Sequence, residues 1–172
     1  LPDVAADNSA AAGNAVDLAQ FAMQGCITSQ FELDKYKSKD KTKHTVNSFV
    51  LCVEGAKVAE LKSGLNRGQI IGDSMNFTRD LANEPPNVLT PTEMANRAAA
   101  MAKETGLKCE VLDEAKMKKM GMGSLLSVSL GSEQPAKLIV LRYTPTKNTA
   151  KKGELLALVG KGITFDTGGI SL

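Results

Sequence analysis

The sequence predicts an α/β protein in which a long helix links a small N-terminal α/β unit to the first βα units of a mostly parallel sheet. Apolar residues recur every three or four positions from about residue 56 to residue 82, as in an amphipathic helix. From residue 90 onward, helical and strand patterns alternate, which favours a largely parallel sheet. The last apolar run, Leu155 to Val159, predicts a buried strand, and four glycines follow it within ten residues.

Three elements are predicted before the long helix. Residues 15–24 carry apolar side chains on one helical face, and the helix is expected to end near Gly25. Residues 27–33 and 46–53 are rich in apolar, β-branched and aromatic side chains, and each predicts a strand.

The long helix contains three glycines, Gly64, Gly68 and Gly72, spaced four apart on one side. Each glycine weakens an isolated helix. Their regular spacing predicts close packing against another element, and a kinked or broken helix is the competing interpretation. The Pro-Pro pair at 85 and 86 cannot continue the helix, which must therefore end by Glu84.

The next helix has a full set of start and stop signals. Thr90 is expected to cap it, Pro91 to occupy the first helical position, and Glu93 to complete a capping box. Gly106 is expected to end it. The remaining predictions are a strand over 107–111, a short helix from an Asp113 cap to Met120, an ambiguous segment over 124–130, a strand over 137–143, a polar loop over 145–153 and the final strand over 155–159.

Composition excludes several classes of protein. The net charge is +2, from 21 basic and 19 acidic residues, which gives no nucleic-acid footprint. The basic run at 35–43 predicts a solvated loop. Cys26, Cys52 and Cys109 lack metal-type spacing and predict reduced, mostly buried thiols of a cytoplasmic protein. No apolar stretch has the length of a membrane span, and no signal peptide is expected.

Two residues of the glycine-rich terminal loop can bind a metal. Asp166 offers a hard oxygen ligand that can bridge two cations, and the alternative is a helix or turn cap before the glycines that follow it. Lys161 can bind a metal only as the neutral amine, and the alternative is a lysine paired with a carboxylate. The residues by themselves leave both alternatives open.

The terminal segment VGKGITFDTGGISL resembles the metal-binding signature of the leucine aminopeptidases, also called cytosol aminopeptidases. Residues 78–91 are similar to the segment where the linker helix of that family enters its catalytic domain. Residues 122–128 resemble another stretch of the family, and residues 25–37 are a weaker match. The resemblance implies a remnant of the N-terminal domain over 1–55, a linker helix over 56–84 and a truncated catalytic domain over 85–172.

The resemblance also implies an activity. Members of the family are two-metal enzymes that remove N-terminal residues, leucine-like ones preferred, from peptide substrates. It implies that Lys161 binds one metal through its amine, that Asp166 bridges both, that the ions are zinc or manganese, and that the enzyme is a cytoplasmic homohexamer. Thr167 stands where many relatives have serine, and both residues offer a hydroxyl.

The remaining ligands of the family, which are a further lysine, further carboxylates and an arginine, match no position of this chain. No metal role is transferred to Asp73, Asp80, Glu84 or Glu93, and no catalytic residue is assigned. The 172-residue chain is therefore expected to be a fragment that is inactive by itself.

Two other functions are weighed. The chain could be a non-catalytic α/β binding or assembly module in which the glycine-rich loop only turns the backbone. A nucleotide-phosphate loop is weakly supported, because no serine or threonine follows Lys161 and the upstream glycine of that pattern is missing. His44, the one histidine, lies in the basic loop and is expected at the surface.

Overall fold

A computed structural model describes residues 15–41, 46–145 and 155–166, and divides the chain into two compact units, Leu1–Asn83 and Glu84–Leu172. The elements of the first unit are α1 (Ala15–Ser29), a short 3-10 helix (Asp34–Tyr36) and α2 (Val58–Ala82). Those of the second unit are α3 (Pro91–Thr105), β1 (Lys108–Leu112), α4 (Glu114–Lys119), α5 (Gly123–Ser129) and β2 (Leu138–Arg142). No helix that the structure describes is long and apolar enough to cross a membrane.

The three regularly spaced glycines of α2 are buried against α1. A Cβ added at Gly64 would meet the carbonyl oxygen of Val16 and lie 2.7 Å from the Cβ of Ala19. A Cβ at Gly72 would lie 2.9 Å from the Cβ of Ile27. Because real Cβ atoms do not approach this closely, only glycine allows the two helices to pack at this separation. The predicted close packing is confirmed, and the alternative of a broken helix is wrong because α2 is continuous.

Side chains of α2 also satisfy the C-terminal end of α1. The last carbonyl groups of a helix have no partner within the helix. Asn76 Nδ2 donates to the carbonyl oxygen of Ile27 at 3.1 Å, and Arg79 Nη1 donates to that of Thr28 at 2.8 Å. The Arg79 guanidinium also lies 4.1 Å from the centre of the Phe31 ring. Asn76 and Arg79 therefore cap α1 from another helix.

Two strand predictions in the first unit are wrong. Helix α1 continues through Gly25 to Ser29, so it takes up the first half of the strand expected at 27–33. Residues 46–53 form no strand and are mostly exposed. A strand needs a neighbour to satisfy its backbone, and the described part of this unit supplies none. The described residues of the expected N-terminal α/β unit therefore contain helices and irregular segments but no strand.

Helix α3 begins and ends where the sequence predicts. The Thr90 hydroxyl accepts from the backbone N–H of Glu93 at 3.2 Å, Pro91 is the first helical residue, and Gly106 ends the helix with a left-handed φ of 74°. The return bond of the capping box is absent, because the backbone N–H of Thr90 donates to the carbonyl oxygen of Val88 at 3.1 Å. The capping-box prediction is thus right for Thr90 and wrong for Glu93.

Strands β1 and β2 pair antiparallel, with Lys108 opposite Arg142 and Leu112 opposite Leu138. The prediction of a mostly parallel sheet is wrong for these strands. A parallel pair needs a crossover that carries the chain back along the whole strand. Here α4 and α5 stay at the end of β1, where Met117 is fully buried beside Leu112, so β2 starts at that end and runs back.

The final predicted strand is also wrong for this structure. Residues 155–160 are assigned to no strand, and the side chains of Leu155 and Val159 are 90% and 98% exposed. An apolar run forms a buried strand only where a neighbouring strand hydrogen-bonds to it, and no described strand does so here. Most of the polar loop expected at 145–153 lies outside the described residues.

Gly64→Ala is expected to destabilise the first unit. The added methyl group collides with α1, and overpacking of this kind costs about 1–3 kcal/mol, more than the roughly 1 kcal/mol that alanine gains over glycine in a helix. Urea unfolding, followed by circular dichroism, measures the difference.

Gly25→Ala is the matched control, because a Cβ at this position in α1 would meet nothing within 4 Å. This change is expected to raise the free energy of unfolding by up to about 1 kcal/mol. The same sign of effect at both positions would contradict the close contact between the helices.

Candidate metal-binding loop

The described part of the terminal loop, residues 160–166, carries both predicted metal ligands. Lys161 and Asp166 are exposed and lie five positions apart on the loop. Among the described residues, no cluster of three or more histidine, cysteine, aspartate or glutamate side chains could hold a metal ion. The described part of the chain therefore presents two predicted ligands on one loop and no larger group of candidate metal ligands.

The base of this loop lies beside the start of β2 and the first turn of α3. A cavity of about 140 Å³ is formed there, and it is lined by Pro91, Met94, Lys137, Leu138, Ile139, Gly160 and Gly162. The two glycines flank Lys161 in the sequence, so the lysine follows directly on the backbone that lines this cavity. The loop is predictable from the sequence but these neighbours are not, because they come from segments more than twenty residues away.

Packing among the described residues does not require glycine at positions 160 and 162. A Cβ added at either position would meet nothing within 4 Å, and neither residue has a positive φ. This contrasts with Gly64, where the partner helix excludes a side chain. Open space at both positions is compatible with a ligand or a further segment that approaches the backbone of the loop.

The donor chemistry of the loop fits a divalent cation in part. A carboxylate such as that of Asp166 is a hard oxygen ligand and can bridge two ions. The amine of Lys161 binds a cation only after losing its proton. Two donors cannot hold two ions in a defined geometry, so the loop fits a metal site as part of a larger set of ligands.

Two carboxylates near the start of the second unit bind an arginine instead of being available to a metal. Arg97 Nη1 lies 2.7 Å from Glu84 Oε1, and Arg97 Nε lies 2.9 Å from Glu93 Oε1. The Glu84 side chain is only 1% exposed. Hydrogen bonding to Glu84, and then to Glu93, raises the pKa of Arg97, and the hydrogen bond from Arg97 lowers the pKa of Glu93. Withholding metal roles from both glutamates is consistent with this network.

Other residues singled out in the sequence have ordinary environments. In the basic segment, Lys37 pairs with Asp34 at 2.6 Å, and that hydrogen bond raises the pKa of Lys37. The three cysteines are free thiols, with Cys52 exposed and the other two partly buried, so the expectation of mostly buried thiols is wrong for Cys52. His44 lies outside the described residues.

Comparison with protein families identifies more than half of the chain as part of a peptidase catalytic domain. Residues 76–172 match the cytosol aminopeptidase family, catalytic domain. The chain belongs to the cytosol aminopeptidase family. The matched region begins within α2 and includes the whole second unit with its terminal loop.

Curated relatives support the same assignment over most of the chain. A probable cytosol aminopeptidase of Solibacter usitatus is 48% identical over 156 residues, which cover 91% of this chain and 31% of that protein. The cytosol aminopeptidase of Pseudomonas aeruginosa (strain PAO1) is 48% identical over 144 residues, covering 83% and 28%. The chain thus spans about 30% of the length of the curated relatives it matches.

A solved structure shares the fold. The bottromycin maturation enzyme BotP, in complex with Mn, superposes with a TM-score of 0.65 at 24% identity, covering 76% of this chain and 26% of that one. At this identity the likeness concerns the fold alone. It supports a mixed helix and sheet architecture of the kind found in this family.

Arg97→Ala is expected to lower the free energy of unfolding by about 3 kcal/mol, because it leaves the buried carboxylate of Glu84 without its charged partner. Glu93→Ala removes the other, more exposed carboxylate and is expected to have a much smaller effect. Urea unfolding of both variants checks this. Equal losses would mean that Glu84 does not depend on Arg97.

Proposed function

We propose that this chain is part of a two-metal aminopeptidase that hydrolyses N-terminal residues, leucine-like ones preferred, from peptides. The observation that carries the proposal is the family match over residues 76–172, which includes the loop with both candidate ligands. The peptidase class follows from the family, whereas the metal dependence and the residue preference rest on the resemblance of the terminal segment.

In this proposal the loop supplies two of the ligands. The Asp166 carboxylate would hold both ions, and the Lys161 amine, once deprotonated, would hold one of them. The ions, zinc or manganese, would supply Lewis-acid chemistry for the scissile carbonyl group and the attacking water. Gly160 and Gly162 keep the backbone on either side of Lys161 open to close approach, since no described side chain fills that space.

The substrates, the cellular location and the oligomeric state of the enzyme are also part of the proposal. Peptides are its substrates, it acts in the cytoplasm and it assembles as a homohexamer. The cytoplasmic location is supported by the name of the curated relatives. Self-association is supported by apolar side chains that the helices of the first unit leave exposed, among them Phe21 at 63% and Ile70 at 68%.

The second candidate is a non-catalytic binding or assembly module. It is favoured by one observation, which is that the described residues form no group of three or more histidine, cysteine, aspartate or glutamate side chains that could hold a metal ion. In that case the glycine-rich loop only turns the chain, and neither Lys161 nor Asp166 has a metal to bind. Substitution at these two residues separates the candidates.

The 172-residue chain alone is expected to show no peptidase activity, because two ligands cannot fix two metal ions. The purified chain is assayed with a leucine-based chromogenic substrate, with added manganese or zinc. Turnover above the buffer blank that disappears in the Asp166→Ala variant would contradict this expectation.

In the complete protein that carries this chain, Asp166→Asn is expected to abolish most activity and to release metal while the fold is retained. The amide has the shape of the carboxylate but lacks the charge that holds two cations. Activity, metal content by elemental analysis and circular dichroism are measured together.

Asp113→Asn is the matched control. Asp113 caps α4 by accepting from the backbone N–H of Lys116 at 2.8 Å, a role that asparagine also fills. This variant is expected to keep its metal and its activity. If Asp166→Asn behaves in the same way, Asp166 is not a ligand and the metal site proposed here is wrong.

A further inference from the structure

The cavity beside the terminal loop carries one charged side chain among the described residues, that of Lys137, which directly precedes β2. The rest of its lining consists of apolar side chains, a proline and glycines. Lys137 is half-buried, and within the described part of the chain no carboxylate forms an ion pair with its ammonium group. Burial of a charge costs free energy unless a partner of opposite charge lies close to it. The cavity therefore favours an anionic group.

A carboxylate that lies close to this segment is already bound to the backbone. Glu114 Oε1 accepts from the backbone N–H of Ala136 at 2.8 Å. Ala136 is buried in the apolar cluster around Met117, whereas the next residue, Lys137, lines the cavity. Successive side chains of an extended chain point to opposite faces. Glu114 therefore stays with the backbone of Ala136 and leaves the charge of Lys137 to a ligand.

The size of the cavity limits which anion it can take. Its volume is about 140 Å³. Since a water molecule takes up roughly 30 Å³ of the liquid, the cavity has the space of four or five waters. This is enough for a carboxylate and the few atoms attached to it. A peptide of several residues does not fit, because an extended chain advances by about 3.3–3.6 Å with each residue.

The cavity also adjoins the loop that carries the candidate metal ligands. Gly160 and Gly162, which precede and follow Lys161, line it together with Lys137. A Cβ at either glycine would meet nothing within 4 Å, so the space beside the loop backbone is open to a ligand. In the proposed function, the loop holds the reacting end of the peptide. The terminal carboxylate of a dipeptide belongs to the residue directly after the scissile bond, so it lies about one residue length away.

We propose that Lys137 binds the terminal carboxylate of a dipeptide substrate, so that the residue to be released occupies the cavity. The ammonium group offers three donors, and a hydrogen bond between two charged groups is stronger than one between neutral groups. A free carboxylate directly after the scissile bond would thus be preferred to an amide or to a longer peptide. The substrate class rests on the proposed function, whereas the carboxylate site itself does not.

Kinetics of the complete protein that carries this chain test the substrate class. The substrates are the dipeptide leucyl-alanine and its C-terminal amide, leucyl-alaninamide, which differ in the charge at the end of the released residue. Lys137→Gln is expected to raise KM for the dipeptide about tenfold and to change kcat little, because a charged hydrogen bond made equally in the ground state and the transition state is lost. The KM for the amide is expected to change much less.

Lys108→Gln is the matched control, because Lys108 is an exposed lysine at the start of β1 and does not line the cavity. It removes the same charge from the same unit and is expected to leave both substrates unaffected. Lys137→Arg keeps the charge and is expected to retain most of the preference for the dipeptide. An equal rise in KM for the dipeptide and the amide in Lys137→Gln would overturn the proposal, since Lys137 would then only support the fold.

Chemical protection of the lysines gives a second answer that needs neither metal nor activity. The complete protein is treated with an amine-acetylating reagent, and acetylation of each lysine is measured by mass spectrometry. N-acetylalanine, which carries the carboxylate, is expected to slow acetylation of Lys137 but not of Lys108, and N-acetylalaninamide is expected to protect neither. Equal acetylation of Lys137 with and without N-acetylalanine would overturn the carboxylate site. If neither peptide is hydrolysed but Lys137 is protected, the site stands and the proposed function is wrong.

Discussion

Backbone groups that lack a partner within their own element decide how both units of this chain are built. The carbonyl groups at the end of α1 are satisfied by Asn76 and Arg79 from α2. The first free N–H groups of α3 are partly satisfied by Thr90. Among the residues that the structure describes, no strand pairs with residues 155–159, and this apolar segment stays exposed despite its composition. The need to give these backbone groups a hydrogen-bond partner therefore constrains where helices end and which segments form strands, in addition to the burial of apolar surface.

The same distinction explains which elements the sequence could predict. Signals that act within a few residues were sufficient, such as the hydroxyl of Thr90, the left-handed Gly106 and the carboxylate of Asp113. The glycine spacing of α2 was also readable, because positions four apart share one helix face. Predictions failed where the partner is distant in sequence. The length of α1 depends on caps from α2, fifty residues away, and the direction of β2 depends on how α4 and α5 pack at the end of β1.

The ion pairs near the start of α3 also depend on a partner that is distant in sequence. The pairing of Glu93 with Arg97 was available from their i,i+4 spacing, yet a capping box was an equally local alternative for the same carboxylate. Glu84 decides between them. The buried Glu84 carboxylate needs a cation, and Arg97 supplies it through Nη1. Arg97 Nε binds the Glu93 carboxylate, which therefore does not accept from the backbone N–H of Thr90. No pattern in the sequence indicates this, because Glu84 precedes Arg97 by thirteen residues and three prolines intervene.

For the terminal loop, residue types were predictable and surroundings were not. Lys161 and Asp166 stand in a motif whose chemistry can be argued from the sequence, but a ligand set is a property of several chain segments. A loop with two donors loses conformational entropy when it binds an ion. The binding free energy from only two donor atoms offsets little of that entropy cost. Binding becomes favourable when the fold has already ordered the loop and when other segments complete the coordination. The described residues provide the donors and the neighbouring cavity, so the affinity of the loop for metal depends on the ligands that other segments add.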